Sequence, residues 1–309
     1  PDNLGELKSK IRATLSAAGA NEVLTYSFVS GQLLENAGQS PDNSYKITNS
    51  ISPELQYVRQ QIVPSLLEKA RENLREGYDK FALFEMNQVF WKSEGLNGEN
   101  VPVQFDNFGF VIVDSKNTAG YYSAKKYVDE LALGLGLTVQ FVPRDKPHEV
   151  GVYFEPKRSA DLFIRDKRIG MVGEIKNSVA DRFKLPHQTA AAEMGVDLIL
   201  DAIQESAKNK SYQKKSRFPS VERDITFQAV SNLEYAKLEN LICKTLEKQK
   251  LWFQYVPLSI YQGDGQATKN ISFRLSFASY EKTLGGEEIA VIMDAIAEGA
   301  KKDLKAEVI

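Results

Sequence analysis

The first two thirds of the chain alternates between helix-like and strand-like hydrophobic patterns. Apolar residues at helical spacing predict an amphipathic helix over residues 4–18, a second helix from Pro64 to about residue 78, and a third over 123–135. Apolar runs bounded by turn residues predict strands at 23–29, 45–47, 81–91, 108–113, 138–142, 159–165 and 168–175. Strands that follow one another through short turns pair antiparallel, so this pattern predicts an α+β fold in which helices pack on a sheet.

The residues after 220 show a clearer pattern. Strands are predicted at 224–230, 252–261, 270–277 and 306–309, with one helix between the first two strands and another before the last. Ser231 and Glu234 have the spacing of a capping box, which places the start of the first helix at Ser231. The resulting order, βαββαβ, is the ferredoxin-like arrangement.

Alternation along these strands divides the side chains of the C-terminal sheet between two faces. One face is apolar and should lie under the helices, with Leu258 and Ile260 as well as Ile225, Phe227, Ala229, Ile271, Phe273, Leu275 and Phe277. Two helices cover only one side of a four-stranded sheet, so the other face should be open. That face carries Thr226, Gln228, Ser259, Tyr261, Ser272, Arg274 and Ser276. Such a surface either stacks a base and contacts a phosphate or is simply solvated.

The composition is that of an ordinary globular protein. The 309 residues are 42% hydrophobic and carry 39 basic and 41 acidic side chains, for a net charge of −2. This charge excludes a surface that binds polyanions throughout but allows a local basic site. We predict a domain over 1–205, a basic linker over 206–216 and a second domain over 217–309, because basic residues are concentrated at Lys208, Lys210, Lys214, Lys215 and Arg217.

The sequence has no feature of a secreted or membrane protein. Its single cysteine, Cys243, cannot form an internal disulfide, and no apolar stretch approaches the ~18 residues of a transmembrane helix. We expect a cytoplasmic protein without a membrane partner. Because the first residue is Pro1 rather than Met, we also expect a piece of a longer chain.

The sequence carries no recognisable catalytic motif. His148 and His187 are far apart and no Cys pair exists, so no zinc site is predicted. Neither a phosphate-binding loop nor a G-x-S-x-G motif occurs in its required context. Glu85 and Glu174 are acids within apolar strands. Each belongs to a ligand site, pairs with a basic side chain or turns to solvent, and we favour one of the last two because a buried acid needs a partner.

Several short motifs are individually weak but specific in their combined order and spacing. The first group is 22–30 (EVLTYSFVS), then Asn49, Ser52, Glu54 and Arg59, then 63–67 (VPSLL), 83–85 (LFE), 158–160 (RSA) and 169–175 (IGMVGEI). The second is 217–225 (RFPSVERDI), 260–263, 272–275 and 283–288. The first group resembles the C-terminal half of bacterial phenylalanine-tRNA synthetase β subunits. The second resembles the ferredoxin-fold anticodon-binding domain of that family, and together they cover nearly the whole chain.

The resemblance implies that residues 1–205 form a class II synthetase-like antiparallel sheet with flanking helices and without catalysis. The sequence agrees, because no arginine directly precedes Glu85 and no G-x-G-x-x-R motif occurs to hold ATP phosphates. The resemblance implies no catalytic residue, metal ligand or cofactor in this chain, while the holoenzyme would use ATP and Mg²⁺. The implied partners are a catalytic α subunit, in an assembly of two α and two β chains, and tRNA(Phe). Editing domains would precede Pro1.

The candidate tRNA-binding residues come from the basic stretch and from the open face of the C-terminal sheet. Arginines would contact phosphates or bases, aromatic side chains would stack on bases, and lysines would add salt-sensitive attraction. The alternative for each arginine is an ion pair, notably of Arg223 with Glu222 or Asp224. The set is Lys214, Lys215, Arg217, Phe218, Arg223, Tyr261 and Arg274.

Two other functions remain open from the sequence. An active ATP-dependent ligase would need the phosphate-binding arginines that are missing here. A ligand-sensing regulatory protein with an amino-acid-binding ferredoxin-like domain would share the βαββαβ order. Such domains usually have glycine in the first strand–helix loop, whereas residues 230–232 are Val-Ser-Asn.

Overall fold

The computed structural model describes residues 2–52, 54–116, 120–144, 150–208, 216–249, 251–263 and 265–309. The chain separates into two compact units, Pro1–Lys210 and Ser211–Ile309. Among the helices of these described ranges, none is long and apolar enough to cross a membrane.

The N-terminal unit is built on one large sheet and one small one. Its strands are β1 (Ala20–Glu22), β2 (Phe28–Val29), β3 (Tyr57–Val58), β4 (Lys80–Val89), β5 (Phe105–Asp114), β6 (Gln140–Pro143), β7 (Phe154–Ile164), β8 (Lys167–Ile175) and β9 (Ala190–Gly195). Seven of them form a sheet in the order β1-β4-β5-β9-β8-β7-β6, in which β1 pairs parallel with β4 and every other pair is antiparallel. The remaining two, β2 and β3, pair with each other.

Helices cover both faces of the large sheet. They are α1 (Asn3–Ala17), α2 (Gly31–Asn36), α3 (Val63–Arg75), α4 (Gly120–Leu135), α5 (Asn177–Phe183) and α6 (Val196–Lys208). One core joins α1, α4 and α6 to the sheet through residues such as Ile11 and Phe84, and the other joins α2, α3 and α5 through residues such as Leu66 and Leu83. Consecutive strand residues thus enter different cores, because their side chains alternate between the faces.

The C-terminal unit has the predicted βαββαβ order. Its elements are β10 (Val221–Val230), α7 (Tyr235–Lys248), β11 (Trp252–Tyr261), β12 (Thr268–Ala278), α8 (Gly286–Leu304) and β13 (Glu307–Val308). The sheet order is β11-β12-β10-β13, and all its pairs are antiparallel. Both helices pack on one face, over a core that includes Phe227, Leu238, Phe273 and Ile296. The other face is open, and the predicted α+β class is confirmed.

Three local predictions are wrong. The predicted capping box does not start α7 at Ser231, because Ser231 donates its amide to the Ala267 carbonyl at 2.9 Å and the helix begins at Tyr235. Of the predicted strand over 23–29, only the last two residues are extended, as β2, because β1 already ends at Glu22 and residues 23–27 have no regular structure. The stretch 45–47 contributes only one bridge, from Lys46 to Tyr57.

Leu258 and Ile260 do not lie under the helices as predicted. Their exposed fractions are 44% and 56%. In the ladder, Pro257 lies opposite Phe273 and Ser259 opposite Ser272, so Leu258 is one extra residue in a β-bulge. The bulge is in the edge strand β11, whose first half packs against the core while its second half is exposed.

Candidate functional site

The open face of the C-terminal sheet is polar, as the sequence pattern predicts. It combines hydroxyl and amide side chains from three adjacent strands, including a hydrogen bond of 2.9 Å between Thr226 Oγ1 and Ser272 Oγ. Cross-strand pairs place these residues on this face: Gln254 opposite Ser276, Val256 opposite Arg274, Ser259 opposite Ser272, and Tyr261 opposite Asn270. Such groups can form hydrogen bonds with the edges of nucleic acid bases.

Arg274 and Asp224 form a bidentate ion pair on the open face. They lie directly opposite each other on β12 and β10, and Arg274 Nε and Nη2 each donate to one oxygen of Asp224 at 2.8 Å. The side chains are 46% and 52% exposed. The hydrogen bond from Arg274 lowers the pKa of the Asp224 carboxyl, and the same contact raises the pKa of Arg274. The pair is therefore fully ionised at neutral pH.

Tyr261 is the exposed aromatic residue of this face, with 64% of its surface accessible. It lies opposite Asn270, four residues along β12 from Arg274. At ~3.3 Å per residue this separates the two positions by roughly 13 Å along the strand, which suits contacts to different nucleotides of one RNA strand.

The other candidate RNA-binding residues are not gathered on this face. Arg223 lies opposite Leu275, on the helix side of the sheet, and its Nη1 donates to the Glu222 carbonyl at 2.7 Å. Asp224, one of the two acids expected to pair with Arg223, pairs with Arg274 instead. Arg217 is exposed and Phe218 half-buried, both before β10. Lys214 and Lys215 lie outside the described residues.

The two acids that the sequence places within apolar strands, Glu85 and Glu174, are both paired with basic side chains. Glu85 is fully buried. Its Oε1 lies 2.9 Å from Arg59 Nη2, and its Oε2 accepts a hydrogen bond of 2.6 Å from Thr25 Oγ1. Glu174 lies 2.6 Å from Arg158 Nε. Of the alternatives given for these acids, pairing with a basic side chain is therefore confirmed for both.

The N-terminal unit contains a cleft of about 680 Å³ against strands β5, β8 and β9. Among its described lining residues, the charged ones are three acids and two bases: Asp42, Glu94, Glu193, Lys92 and Arg168. Both bases are engaged, since Lys92 Nζ donates to the Asp42 carbonyl at 2.8 Å and Arg168 Nε to Asp161 at 2.9 Å. Among the described residues, no group of three or more His, Cys, Asp or Glu could hold a metal ion.

Glu193 is a buried acid that sequence reasoning missed. It is 2% exposed, and its Oε2 accepts the amides of Ile62 at 3.0 Å and Val63 at 3.1 Å, at the start of α3. Asn107 donates to its other oxygen at 3.0 Å. Burial raises the pKa of Glu193. The residue joins a helix N-terminus to the central strand β9, which is a structural role.

An apolar stripe is exposed where β1 leads to β2. Leu24, Tyr26 and Phe28 are 82%, 75% and 45% exposed, whereas Thr25 between them bonds inward to Glu85. This 24–28 stripe borders an open cavity of about 880 Å³, which Glu54 and Glu68 also line. Burial raises the pKa of Glu68. Clustered exposed apolar side chains of this kind are typical of protein interfaces.

The units match two families along the chain. The model of the phenylalanyl tRNA synthetase beta chain CLM domain matches residues 2–196, and that of the ferredoxin-fold anticodon binding domain matches 216–308. The phenylalanine–tRNA ligase beta subunit of Listeria monocytogenes serotype 4b is 27% identical over 304 residues, which cover 96% of this chain and 37% of the relative. That of Carboxydothermus hydrogenoformans is 27% identical over 300 residues, covering 91% and 35%. The chain thus spans little more than a third of these relatives.

A solved structure supports the fold. The pyrrolysyl tRNA synthetase PylSc of Desulfitobacterium hafniense superposes with a TM-score of 0.53 at 15% identity, over 66% of this chain and 67% of that one. This likeness confirms the predicted synthetase-like fold. The matches give no support to the ligand-sensing alternative. Together with the two family matches, the order of the units shows that the chain belongs to the phenylalanyl-tRNA synthetase beta chain family.

Proposed function

We propose that this chain is the part of a phenylalanine–tRNA ligase β subunit that docks the catalytic α subunit and binds tRNA(Phe) near its anticodon. The observation that carries the proposal is the pair of family matches on one chain, a β-chain domain followed by an anticodon-binding domain. The assembly would contain two α and two β chains and act in the cytoplasm.

The 24–28 stripe supports docking of the α subunit. Stable subunit interfaces bury large apolar areas, and Leu24 and Tyr26 are large apolar side chains that are mostly exposed in this unit by itself. Glu54 and Glu68 line the cavity beside the stripe, and Lys69, its one base among the described lining residues, already pairs with Glu72. This charge favours a partner segment that combines apolar and basic side chains.

The cleft supports a role without adenylation. A triphosphate needs free cationic side chains, whereas Lys92 and Arg168 are engaged, and acids outnumber bases among the lining residues that the structure describes. The described residues of the cleft therefore do not suit ATP, and we assign ATP and Mg²⁺ to the α subunit. ATP–pyrophosphate exchange should be absent with this chain alone, and measurable exchange would favour an active ligase.

Docking can be tested by co-expression with the α subunit and size exclusion. We expect co-elution for the unmodified chain and separate elution for Tyr26→Asp, because a carboxylate would be buried at the interface. Leu133→Asp is the matched control, since Leu133 is 77% exposed on α4, away from the stripe. Separate elution of the unmodified chain would refute docking, and co-elution of Tyr26→Asp would refute the role of the stripe.

Binding of tRNA(Phe) can be tested by fluorescence anisotropy with the full 309-residue chain. We expect affinity that falls with salt, because any tRNA contact displaces counterions. A chain that does not bind tRNA(Phe) at low salt would refute this half of the proposal.

A further inference from the structure

The open face of the C-terminal sheet has a net negative charge. Among its described strand residues, the carboxylates are Glu222, Asp224 and Glu307, and the one cation is Arg274. Lys301 of α8 compensates Glu307, with its Nζ 3.2 Å from that carboxylate, so one acid of the face stays in excess. Two other cations of these strands, Arg223 and Lys269, lie opposite Leu275 and Ala229, on the helix side. The face that is best shaped for a nucleic acid strand therefore offers phosphates little attraction.

Asp224 occupies the groups of Arg274 that would hold a phosphate. A bidentate phosphate contact uses two parallel N–H donors of a guanidinium, and Nε and Nη2 already donate to the carboxylate at 2.8 Å. A phosphate would have to displace Asp224 and would then lie beside it and Glu222. The ion pair itself releases no counterions on binding, since its charges cancel.

The pair nevertheless leaves a surface that suits a base. A guanidinium held by two hydrogen bonds is planar and fixed, and Arg274 remains 46% exposed. Its Nη1 donates to no described residue, so its hydrogens are available to a base edge. RNA bases stack on guanidinium planes as they do on aromatic rings.

We propose that Asp224 positions Arg274 as a flat platform for an RNA base, so that the open face recognises bases and the phosphate contacts of the bound RNA lie outside it. The inference rests on the proposed tRNA binding. In it, Arg274 touches the RNA, and Asp224 acts through Arg274.

The test is an anisotropy titration of the full chain with labelled tRNA(Phe) transcript, repeated over roughly 50 to 250 mM KCl. Arg274→Ala should weaken binding about 10-fold at every salt concentration and leave the salt slope unchanged. Arg274→Lys should lose as much, because an ammonium group has no plane. Lys269→Ala removes a cation from the same strand but from the helix side of the sheet, and should not show this salt-independent loss. Thermal melting of each variant verifies that the exposed substitutions leave the domain folded.

Asp224→Asn distinguishes two roles of Asp224: positioning Arg274 for a base, or keeping Arg274 from contacting the RNA. We expect it to weaken binding about 3-fold or more, and to have no further effect in an Arg274→Ala background. The inference is overturned if Asp224→Asn strengthens binding, if Arg274→Lys retains it, if Arg274→Ala reduces the salt slope by about one, or if Lys269→Ala gives the same loss. Those results leave tRNA binding intact, whereas no binding by the unmodified chain refutes the proposed function itself.

Discussion

Arg59 and Glu85 form an ion pair in the interior of the N-terminal unit, with Nη2 and Oε1 2.9 Å apart and side-chain exposures of 1% and 0%. Arg59 also donates to the Gln88 carbonyl and to Thr25 Oγ1. Because neither partner can reach water, removal of one leaves an uncompensated charge in the core. The pair ties the segment that carries the 24–28 stripe to β4.

Glu85→Gln should therefore be strongly destabilising. We expect the free energy of unfolding of this unit to fall by about 3 to 5 kcal/mol, measured by urea denaturation. Glu22→Gln is the control, because it breaks the Arg12–Glu22 pair, whose side chains are about 40% exposed, and should cost less than about 1 kcal/mol. Equal losses for the two variants would contradict the buried character of the Arg59–Glu85 pair.

Glu193 should give the unit a defined pH dependence. Burial raises its pKa above the usual 4.5, so the folded state holds this proton to higher pH than the unfolded state does. Its contribution to stability is fully present below about pH 4.5 and is lost as the pH rises through the folded-state pKa.

The measurement is the difference in melting temperature between the unmodified chain and Glu193→Gln from acid to neutral pH. Glutamine has one acceptor oxygen for the amides of Ile62 and Val63 and for Asn107, so the variant should be less stable throughout. The difference in melting temperature should be largest at low pH and should decrease as the pH rises. A gap that widens with pH would show that the hydrogen bonds outweigh burial at this carboxyl.

Gly170 in β8 is required by close packing between strands. A Cβ at this position would meet the Glu193 carbonyl oxygen and, at 2.8 Å, the Met194 Cα, which are backbone atoms that cannot turn aside. Gly170→Ala should cost about 3 kcal/mol in unfolding free energy. Gly286→Ala is the control, since no described atom lies within 4 Å of its Cβ position, and it should leave stability unchanged or slightly raised. Comparable losses would point to helix α8 as equally constrained.

Tyr261 should contribute to RNA binding by stacking. Tyr261→Ala should weaken tRNA(Phe) binding by roughly 5-fold or more without a change in the salt slope. Val291→Ala, a similarly exposed apolar residue on α8, is the control and should bind normally. Loss with both variants would indicate a general effect on the domain.

Much of this fold could be predicted because local pattern and tertiary environment agree. The βαββαβ unit has one covered and one open face, so its strands alternate cleanly, as Ile225 and Phe227 show against Thr226. In contrast, β9 lies at the centre of a sheet covered on both faces, and its sequence AAAEMG has no alternation. No strand was predicted there, and Glu193 was missed with it.

The site was predicted in part for similar reasons. The alternation of side chains along the strands places Tyr261 and Arg274 on one face. The alternation shifts by one residue at a β-bulge, as at Leu258, and the sequence pattern does not show where a bulge occurs. The Asp224–Arg274 pair depends on the register between two strands 50 residues apart, which short-range pattern does not encode. The expectation for Arg223 considered only its neighbours in sequence, whereas Asp224 pairs with Arg274, the residue opposite it on the next strand.

The irregularity in β11 also matters for solubility. Strand β11 lies at the edge of the sheet, and Leu258, in the bulge, and the nearby Ile260 are substantially exposed. A flat strand of this kind would be a template for aggregation between copies. Pro257 offers no amide proton and the adjacent bulge breaks the repeat, so an incoming strand cannot continue the ladder. The domain can thus keep an accessible rim for other molecules without growing into a fibril.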